Sequence, residues 1–148
     1  MRARDLLVDA PVVDISTSAS GAIGVLAASG LPGLVVRDGD RYTVVPASQV
    51  LRLLLPRYVL DDPSLGRVWD EAGADDLIAR VKDRSVRELL GALDRPDDAP
   101  EPTVDPDATT VEMAAVMSSA HVPLVAVVDR GRYTGVVTVA RLLHHLLA

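Results

Sequence analysis

The sequence contains no cysteine and no phenylalanine, and aromatic residues make up only 3% of it. The absence of cysteine excludes disulfides and thiolate metal sites and fits a reducing compartment. With so few rings, a core must be built from Val, Leu, Ile, Ala and Met, which together suit closely packed strands and helices. Hydrophobic residues make up 49% of the 148 residues, so a sizeable core is available.

Basic charge is also scarce. The chain has 15 Lys and Arg against 21 Asp and Glu, which gives a net charge of −6 and a pI near 4.9. No stretch combines clustered Lys or Arg with aromatic side chains. A nucleic-acid groove needs a positive field and often stacking rings, so nucleic acid is not expected as a partner.

Long apolar runs are missing as well. The stretch at residues 50–55 is interrupted by Arg52, and the apolar stretch near the start is broken by Asp5 and Asp9. A membrane-spanning helix needs about 20 apolar residues, and a signal peptide needs a continuous apolar segment. We therefore expect a cytoplasmic protein with no membrane insertion.

No catalytic arrangement is recognisable. Without cysteine there is no thiol nucleophile, and no Ser, His and Asp fall into a known nucleophile pattern. Gly21 and Gly24 lie within a helical pattern and are not followed by the Gly-Lys-Ser/Thr of a phosphate loop. The chain is not expected to be an enzyme.

The chain repeats itself. Residues 11–51 match residues 102–142 without a gap, at a spacing of 91 positions, and both copies contain Arg-Tyr-Thr, at residues 41–43 and 132–134. A shorter match precedes each copy, RDLL at residues 4–7 and RELL at residues 87–90, at a spacing of 83. Such self-similarity indicates two copies of one structural unit.

Each copy predicts the same order of elements. A short apolar strand is followed by polar cap residues, among them Ser18 and Thr109, and by an amphipathic helix. A Val-rich strand, an Asp/Gly turn, a second strand and a closing helix complete the unit. The predicted strands are residues 12–15, 34–37 and 42–45, then 103–104, 124–128 and 133–138, and the predicted helices are residues 20–29, 50–55, 111–120 and 140–147. This is a tandem β-α-β-β-α arrangement of α/β (α+β) class.

We assign residues 1–56 to repeat 1, residues 57–84 to a helical linker and residues 85–148 to repeat 2. Pro63 and Asp76 predict helix starts in the linker, and Gly73 predicts a helix end, which gives two short helices. Residues 96–102 are predicted to form a polar loop. The linker side chains expected to pack onto the repeats are Leu65, Val68, Trp69 and Leu77.

Three strings carry a family resemblance: SGLPGLVV at residues 29–36, HVPLVAVVD at residues 121–129, and GVVT at residues 135–138 before a Leu-rich helix. They resemble the CBS (cystathionine-β-synthase-type) domain pair, or Bateman module. The resemblance implies two repeats packed about a pseudo-two-fold axis with two clefts between them. It also implies regulation of a fused or separate enzyme, channel or transporter, with AMP, ADP, ATP or S-adenosylmethionine as candidate ligands.

The resemblance also points to site residues. The family's ribose-binding signature is Thr or Ser at the end of the last strand, with Asp three residues later. Repeat 2 has Thr138 and Arg141 there, and the gapless alignment gives Ala47 and Val50 in repeat 1. An Arg cannot accept hydrogen bonds from ribose hydroxyls, but it binds phosphate or carboxylate well. Arg141 as a solvated residue of the first helical turn is the alternative.

His121 lies two residues before Pro123, where some family members place a basic residue that contacts phosphate; a plain surface histidine is the alternative. A ligand, if bound, is expected to prefer the cleft edged by Thr138, Arg141 and His121. The apolar walls expected for a flat base are Val104, Val122 and Pro123.

Two functions therefore stay open. One is a stand-alone CBS pair that binds a small anionic ligand and modulates a separate enzyme or transporter, and the other is a ligand-free dimerisation or scaffold protein. A homodimer is expected because leucines cover more than one face of each closing helix, and exposed apolar patches mark interfaces. These leucines are Leu51, Leu53, Leu54 and Leu55 in repeat 1 and Leu142, Leu143, Leu146 and Leu147 in repeat 2.

Overall fold

A computed structural model describes residues 1–91 and 100–148 of the chain. Repeat 1 comprises β1 (Val12–Asp14), α1 (Ala19–Ser29), β2 (Gly33–Asp38), β3 (Arg41–Pro46) and α2 (Ala47–Leu54). The linker holds α3 (Arg57–Asp61), a 3-10 helix (Pro63–Val68) and α4 (Glu71–Val81), and α5 (Val86–Gly91) follows. Repeat 2 comprises β4 (Thr103–Val104), α6 (Thr110–Ala120), β5 (Leu124–Asp129), β6 (Arg132–Thr138) and α7 (Val139–Leu147). The predicted β-α-β-β-α order is confirmed in both repeats, and most of the loop predicted at residues 96–102 lies outside the described residues.

The first helix of each repeat begins and ends in the same way. The Ser18 hydroxyl accepts a hydrogen bond from the Gly21 amide, and Thr109 caps the Glu112 amide of α6 in the same manner. These side chains satisfy amides that the first helical turn leaves unpaired. Both predicted caps are confirmed.

Each repeat forms a three-stranded sheet in which the first strand runs parallel to the second and the second antiparallel to the third. Valines with almost no exposed surface fill the space between and behind the sheets, among them Val35, Val44, Val125 and Val136. One core cluster contains residues of both sheets, so the repeats form one packed body.

A pseudo-two-fold axis relates the repeats. Tyr42 and Tyr133 occupy equivalent sequence positions and stack on each other, with ring centroids 5.7 Å apart and an interplanar angle of 24°. Two equivalent side chains can touch only near the axis that exchanges them.

The segments that precede the two repeats are exchanged. Residues 2–8 hydrogen-bond to repeat 2, whereas residues 84–87 hydrogen-bond to repeat 1. Two symmetry-related pairs of backbone hydrogen bonds show this: Ala3 N to Ala108 O and Val86 N to Thr17 O, both 2.9 Å, and Arg4 N to Pro106 O and Arg87 N to Ile15 O, both 3.0 Å. We call residues 2–8 and residues 84–87 the lead segments, and each repeat packs with the lead segment of the other. The boundaries at residues 56 and 85 remain predictions.

A bulge in β6 breaks the equivalence of the two copies. Val36 pairs with Thr43 in repeat 1, but the matching Val127 pairs with Gly135, because Thr134 is an extra residue. Beyond this point the spacing between equivalent residues is therefore 92. The buried Val50 and Leu142 obey this spacing, at 8% and 3% exposure.

This shift corrects the sequence alignment at the candidate site. Thr138 is the residue before α7, and Pro46 is the residue before α2. The repeat 1 counterparts of Thr138 and Arg141 are therefore Pro46 and Gln49, and the assignment to Ala47 and Val50 was wrong. A gapless alignment cannot reveal an inserted bulge residue when both neighbouring registers look apolar.

The linker differs from its prediction. The Asp70 carboxylate accepts a hydrogen bond from the Gly73 amide at 2.8 Å, so α4 begins at Glu71 and Gly73 lies in its first turn. The predicted start at Asp76 and end at Gly73 were wrong, because a carboxylate cap outweighs the weak helix propensity of one glycine. The start at Pro63 is confirmed, at the first position of the 3-10 helix.

The linker also packs less closely than expected. Val68 is 83% exposed and Leu65 42% exposed, and among the described residues neither belongs to a core cluster. Trp69 is half-buried and donates its Nε1 hydrogen bond to the Tyr58 hydroxyl at 3.1 Å. The linker attaches instead through α4, in which Leu77 is half-buried and Val81 is buried.

The Tyr133 hydroxyl gives a prediction about pH. It donates a hydrogen bond to Ala10 O at 2.8 Å, and burial, then Asp9 and then Tyr42, raise its pKa to about 12 from the ordinary 10.0. Because the pKa is higher in the folded state, this phenol stabilises the fold fully below about pH 10, and the contribution is lost as the pH rises through about 12.

In urea unfolding, Tyr133→Phe should be about 1 kcal/mol less stable than the wild type at neutral pH. The variant should also lose less stability than the wild type when the pH is raised above 10. A Tyr58→Phe control should keep the alkaline loss; equal alkaline loss in Tyr133→Phe would contradict the prediction.

Candidate functional site

An open cleft of about 680 Å³ lies between the two repeats. Repeat 1 contributes the start of β2 and the junction of β3 with α2, and repeat 2 contributes the end of α6 and the start of β5. The lining residues are Pro32, Pro46, Ala47, Ser48, Met117, Ser118, His121, Val122 and Pro123. We call this the His121 cleft.

His121 has a left-handed backbone conformation, with φ 54° and ψ 47°. It ends α6 as Gly30 ends α1, and Gly30 has φ 66°. The left-handed conformation costs an L-residue about 1–2 kcal/mol, a cost that glycine avoids. The exposed His121 is therefore a strained residue at the rim of a cleft, and such strain is often associated with function.

The N-terminus of α2 lies in the same cleft. Pro46 precedes this helix and offers no side-chain hydrogen bond to its first turn. Ala47 N donates to Pro32 O at 2.9 Å, whereas within residues 1–91 and 100–148 no side chain caps the amides that follow. A helix N-terminus carries partial positive charge and attracts anions.

Thr138 and Arg141 are arranged differently. The Thr138 hydroxyl accepts a hydrogen bond from Arg141 N at 3.2 Å and so caps α7, and the Arg141 side chain is exposed. Neither residue lines the His121 cleft. The pseudo-two-fold axis relates Thr138 to Pro46 and His121 to Gly30, so Thr138 and Arg141 are the counterparts of Pro46 and Gln49 of repeat 1.

The structure therefore brings three of the six predicted site residues together: His121, Val122 and Pro123. Val104 is buried at 7% exposure, pairs with Val127 in the sheet and belongs to the core. The lining residues from repeat 1 were missed because they meet His121 only through the packing of one repeat on the other, which no local sequence pattern gives.

Two features are absent from the described part of the chain. No group of three or more His, Cys, Asp or Glu side chains is placed to hold a metal ion. No helix within residues 1–91 and 100–148 combines the length and apolar character needed to cross a membrane.

Comparisons with known proteins agree with this architecture. The CBS domain family model matches residues 85–148. A CBS domain-containing protein of unknown function from Kribbella flavida is 40% identical, with a TM-score of 0.78, and the match covers 100% of this chain and 99% of that one. No match was found among curated proteins.

Two repeats that exchange lead segments and enclose clefts define a CBS pair, and the chain belongs to the CBS domain-containing proteins. More distant solved structures share the fold. One from Bacillus anthracis is 17% identical over 99% of this chain and 93% of that chain, with a TM-score of 0.68. CBSX2 in complex with AMP is 21% identical over 99% of this chain and 96% of that chain, with a TM-score of 0.62.

Proposed function

We propose that this CBS pair is a cytoplasmic, non-catalytic regulatory module that binds a small anionic ligand in the His121 cleft and modulates a separate enzyme or transporter. One observation carries the proposal. The uncapped N-terminus of α2 and the strained His121 line the same cleft, although they come from different repeats. Both favour an anion, since one offers backbone amides and the other an imidazole that can donate a hydrogen bond.

The remaining lining residues suit a nucleotide. Ser48 and Ser118 offer hydroxyl groups, which donate and accept hydrogen bonds. Pro32, Pro46 and Val122 give apolar surface for a flat base. The AMP complex of CBSX2, a protein of the same fold, supports adenine nucleotides as the first class to screen; AMP, ADP, ATP and S-adenosylmethionine form that screen.

Selectivity for ribose should be weak. The family signature places a carboxylate where it accepts hydrogen bonds from ribose hydroxyls, but this chain has Gln49 and Arg141 at the two structurally equivalent positions. Gln49 offers only an uncharged amide oxygen as acceptor, and the Arg141 guanidinium accepts no hydrogen bonds. Phosphate should therefore contribute more to affinity than ribose.

The location of the His121 cleft provides a route for regulation. Its walls belong to both repeats, so a ligand that contacts both favours one relative arrangement of the repeats over others. A ligand shifts such an equilibrium only by its difference in affinity for the two arrangements. The partner would sense the favoured arrangement on the outer helices.

The test is calorimetry with AMP on the wild type and on His121→Gly. The variant should bind AMP about tenfold or more weakly, the scale of one hydrogen bond to a charged group. Without ligand, it should be about 1 kcal/mol more stable than the wild type, because glycine relieves the left-handed strain. Opposite changes in affinity and stability distinguish a functional histidine from a structural one.

Arg141→Ala is the matched control, because it also removes a basic side chain but lies outside the His121 cleft. Its affinity for AMP in this cleft should stay within about twofold of the wild type. Unchanged binding by His121→Gly would refute the assignment of the cleft. Failure of the whole screen to bind the wild type would favour a ligand-free scaffold.

Two exposed leucines favour the second function, a dimerisation or scaffold protein. Leu51 and Leu143 are structurally equivalent and are both exposed, at 60% and 51%. Symmetric exposed leucines suit a symmetric interface with a second copy. We therefore propose a homodimer through these two positions, with or without a ligand.

A further inference from the structure

A buried glycine lies beneath the His121 cleft. Gly33 begins β2, and both its sequence neighbour Pro32 and its strand partner Pro46 line the cleft. A glycine within a strand gives up side-chain packing and costs backbone entropy, and it often marks a place where another group approaches closely. The surroundings of Gly33 show which group this is.

Space, and not backbone conformation, keeps a side chain out of this position. Gly33 is not among the residues with positive φ, so its backbone would accept any L-residue. An added Cβ would lie 3.3 Å from Val44 Cγ1, 3.3 Å from Val45 O and 3.5 Å from Pro123 Cγ. Neighbours on three sides leave little room for atoms beyond Cβ. One of these neighbours, Pro123, belongs to repeat 2 and lines the His121 cleft.

Repeat 2 has a leucine at the equivalent position. Leu124 begins β5 as Gly33 begins β2. The backbones match there, because Pro32 O and Pro123 O each accept a hydrogen bond of 2.9 Å from the first residue of the closing helix of their repeat. Leu124 is completely buried. The fold therefore accepts a bulky side chain at this position in repeat 2, whereas in repeat 1 the ring of Pro123 approaches the glycine.

We propose that Gly33 is a positioning residue for the His121 cleft. By admitting the Pro123 ring, it holds residues 121–123 of repeat 2 close to the N-terminus of α2, so that His121 and the helix amides reach the same ligand. The role rests on the proposed function, which assigns the ligand to this cleft. Gly33 acts through Pro123 and does not itself contact the ligand. A longer side chain at position 33 would separate the two walls, and packed interiors tolerate such an insertion poorly.

Calorimetry with AMP tests this role. Gly33→Leu, which copies the residue of repeat 2, should bind AMP about tenfold or more weakly, the scale of one hydrogen bond to a charged group. The matched control is Gly24→Leu, at an exposed position of α1 with nothing within 4 Å of an added Cβ. Its affinity should stay within about twofold of the wild type, because distant sites act independently. Wild-type affinity in Gly33→Leu, or an equal loss in Gly24→Leu, would overturn the proposal.

Gly33→Ala extends the test to a variant with a single added carbon. Its Cβ meets its neighbours at 3.3–3.5 Å, so only small shifts are needed and the variant should fold. It should bind AMP about threefold more weakly, as a mild case of overpacking. Wild-type affinity in this variant would contradict the role of Gly33 even if Gly33→Leu did not fold.

Urea unfolding of a double-mutant cycle with Pro123→Ala provides a readout that needs no ligand. Pro123→Ala removes the Cγ atom that faces position 33, so Gly33→Leu should lower the urea midpoint less in this background than in the wild type. Additive effects would overturn the proposal, because they would show that Gly33 and Pro123 do not act together. Non-additive effects without AMP binding to the wild type would support the spacing role of Gly33 and place the failure in the proposed ligand.

Discussion

Gly135→Ala should destabilise the protein by about 3 kcal/mol. The residue has φ 153°, and an added Cβ would lie 2.9 Å from the Val8 carbonyl oxygen and 3.2 Å from Leu7 Cδ2. Val8 and Val136 exchange two backbone hydrogen bonds, of 2.8 and 3.0 Å, beside this position. The substitution must strain the backbone, at about 1–3 kcal/mol, and must also disturb hydrogen bonds worth about 1 kcal/mol each.

Two glycines provide controls for urea unfolding of this variant. Gly131, in the same hairpin, has φ 82° but nothing within 4 Å of an added Cβ, so Gly131→Ala should cost only the backbone strain of about 1 kcal/mol. Gly24 lies within α1 with open space around it, so Gly24→Ala should raise stability by about 0.5–1 kcal/mol. If Gly135→Ala cost no more than Gly131→Ala, the close approach of Val8 would have no energetic role.

The fold was predictable because its signals are local and repeated. The two Arg-Tyr-Thr strings, the caps at Ser18 and Thr109 and the Val-rich strands each occur twice at one spacing. A pattern that occurs in both copies supports the same structural prediction twice. The linker occurs once, and there a helix start at Asp76 was inferred where the Asp70 cap in fact begins α4 at Glu71.

The site was only partly predictable, because it depends on register and on contacts between repeats. One extra residue at Thr134 decides whether Ala47 or Pro46 is the counterpart of Thr138. No local pattern indicates that His121 of one repeat shares a cleft with Ser48 of the other. Local sequence therefore singled out His121, Val122 and Pro123 but not the residues of repeat 1 that face them across the cleft.

The exchanged lead segments have a consequence for stability and for signalling. Because residues 2–8 bind repeat 2 and residues 84–87 bind repeat 1, neither repeat completes its packing with contiguous residues. Local opening of one repeat then releases a segment covalently joined to the other. We expect the pair to unfold as one cooperative unit, which suits the proposed transmission of a change between its two halves.

Leu6→Ala should reveal this exchange, with a cost of about 3 kcal/mol. Leu6 is 4% exposed and belongs to the core cluster around β5 and β6, and a buried Leu→Ala typically costs 2–5 kcal/mol. Hydrogen exchange should show the earliest loss of protection in repeat 2, although Leu6 precedes repeat 1 in sequence. Leu89→Ala should cause the earliest loss of protection in repeat 1, where Leu89 packs with Ala19. As a control, Leu51→Ala, at a 60% exposed position, should cost less than about 0.5 kcal/mol of stability. Loss of protection confined to residues 12–54 in Leu6→Ala would show that the lead segment stabilises its own repeat and that the exchange does not couple the two.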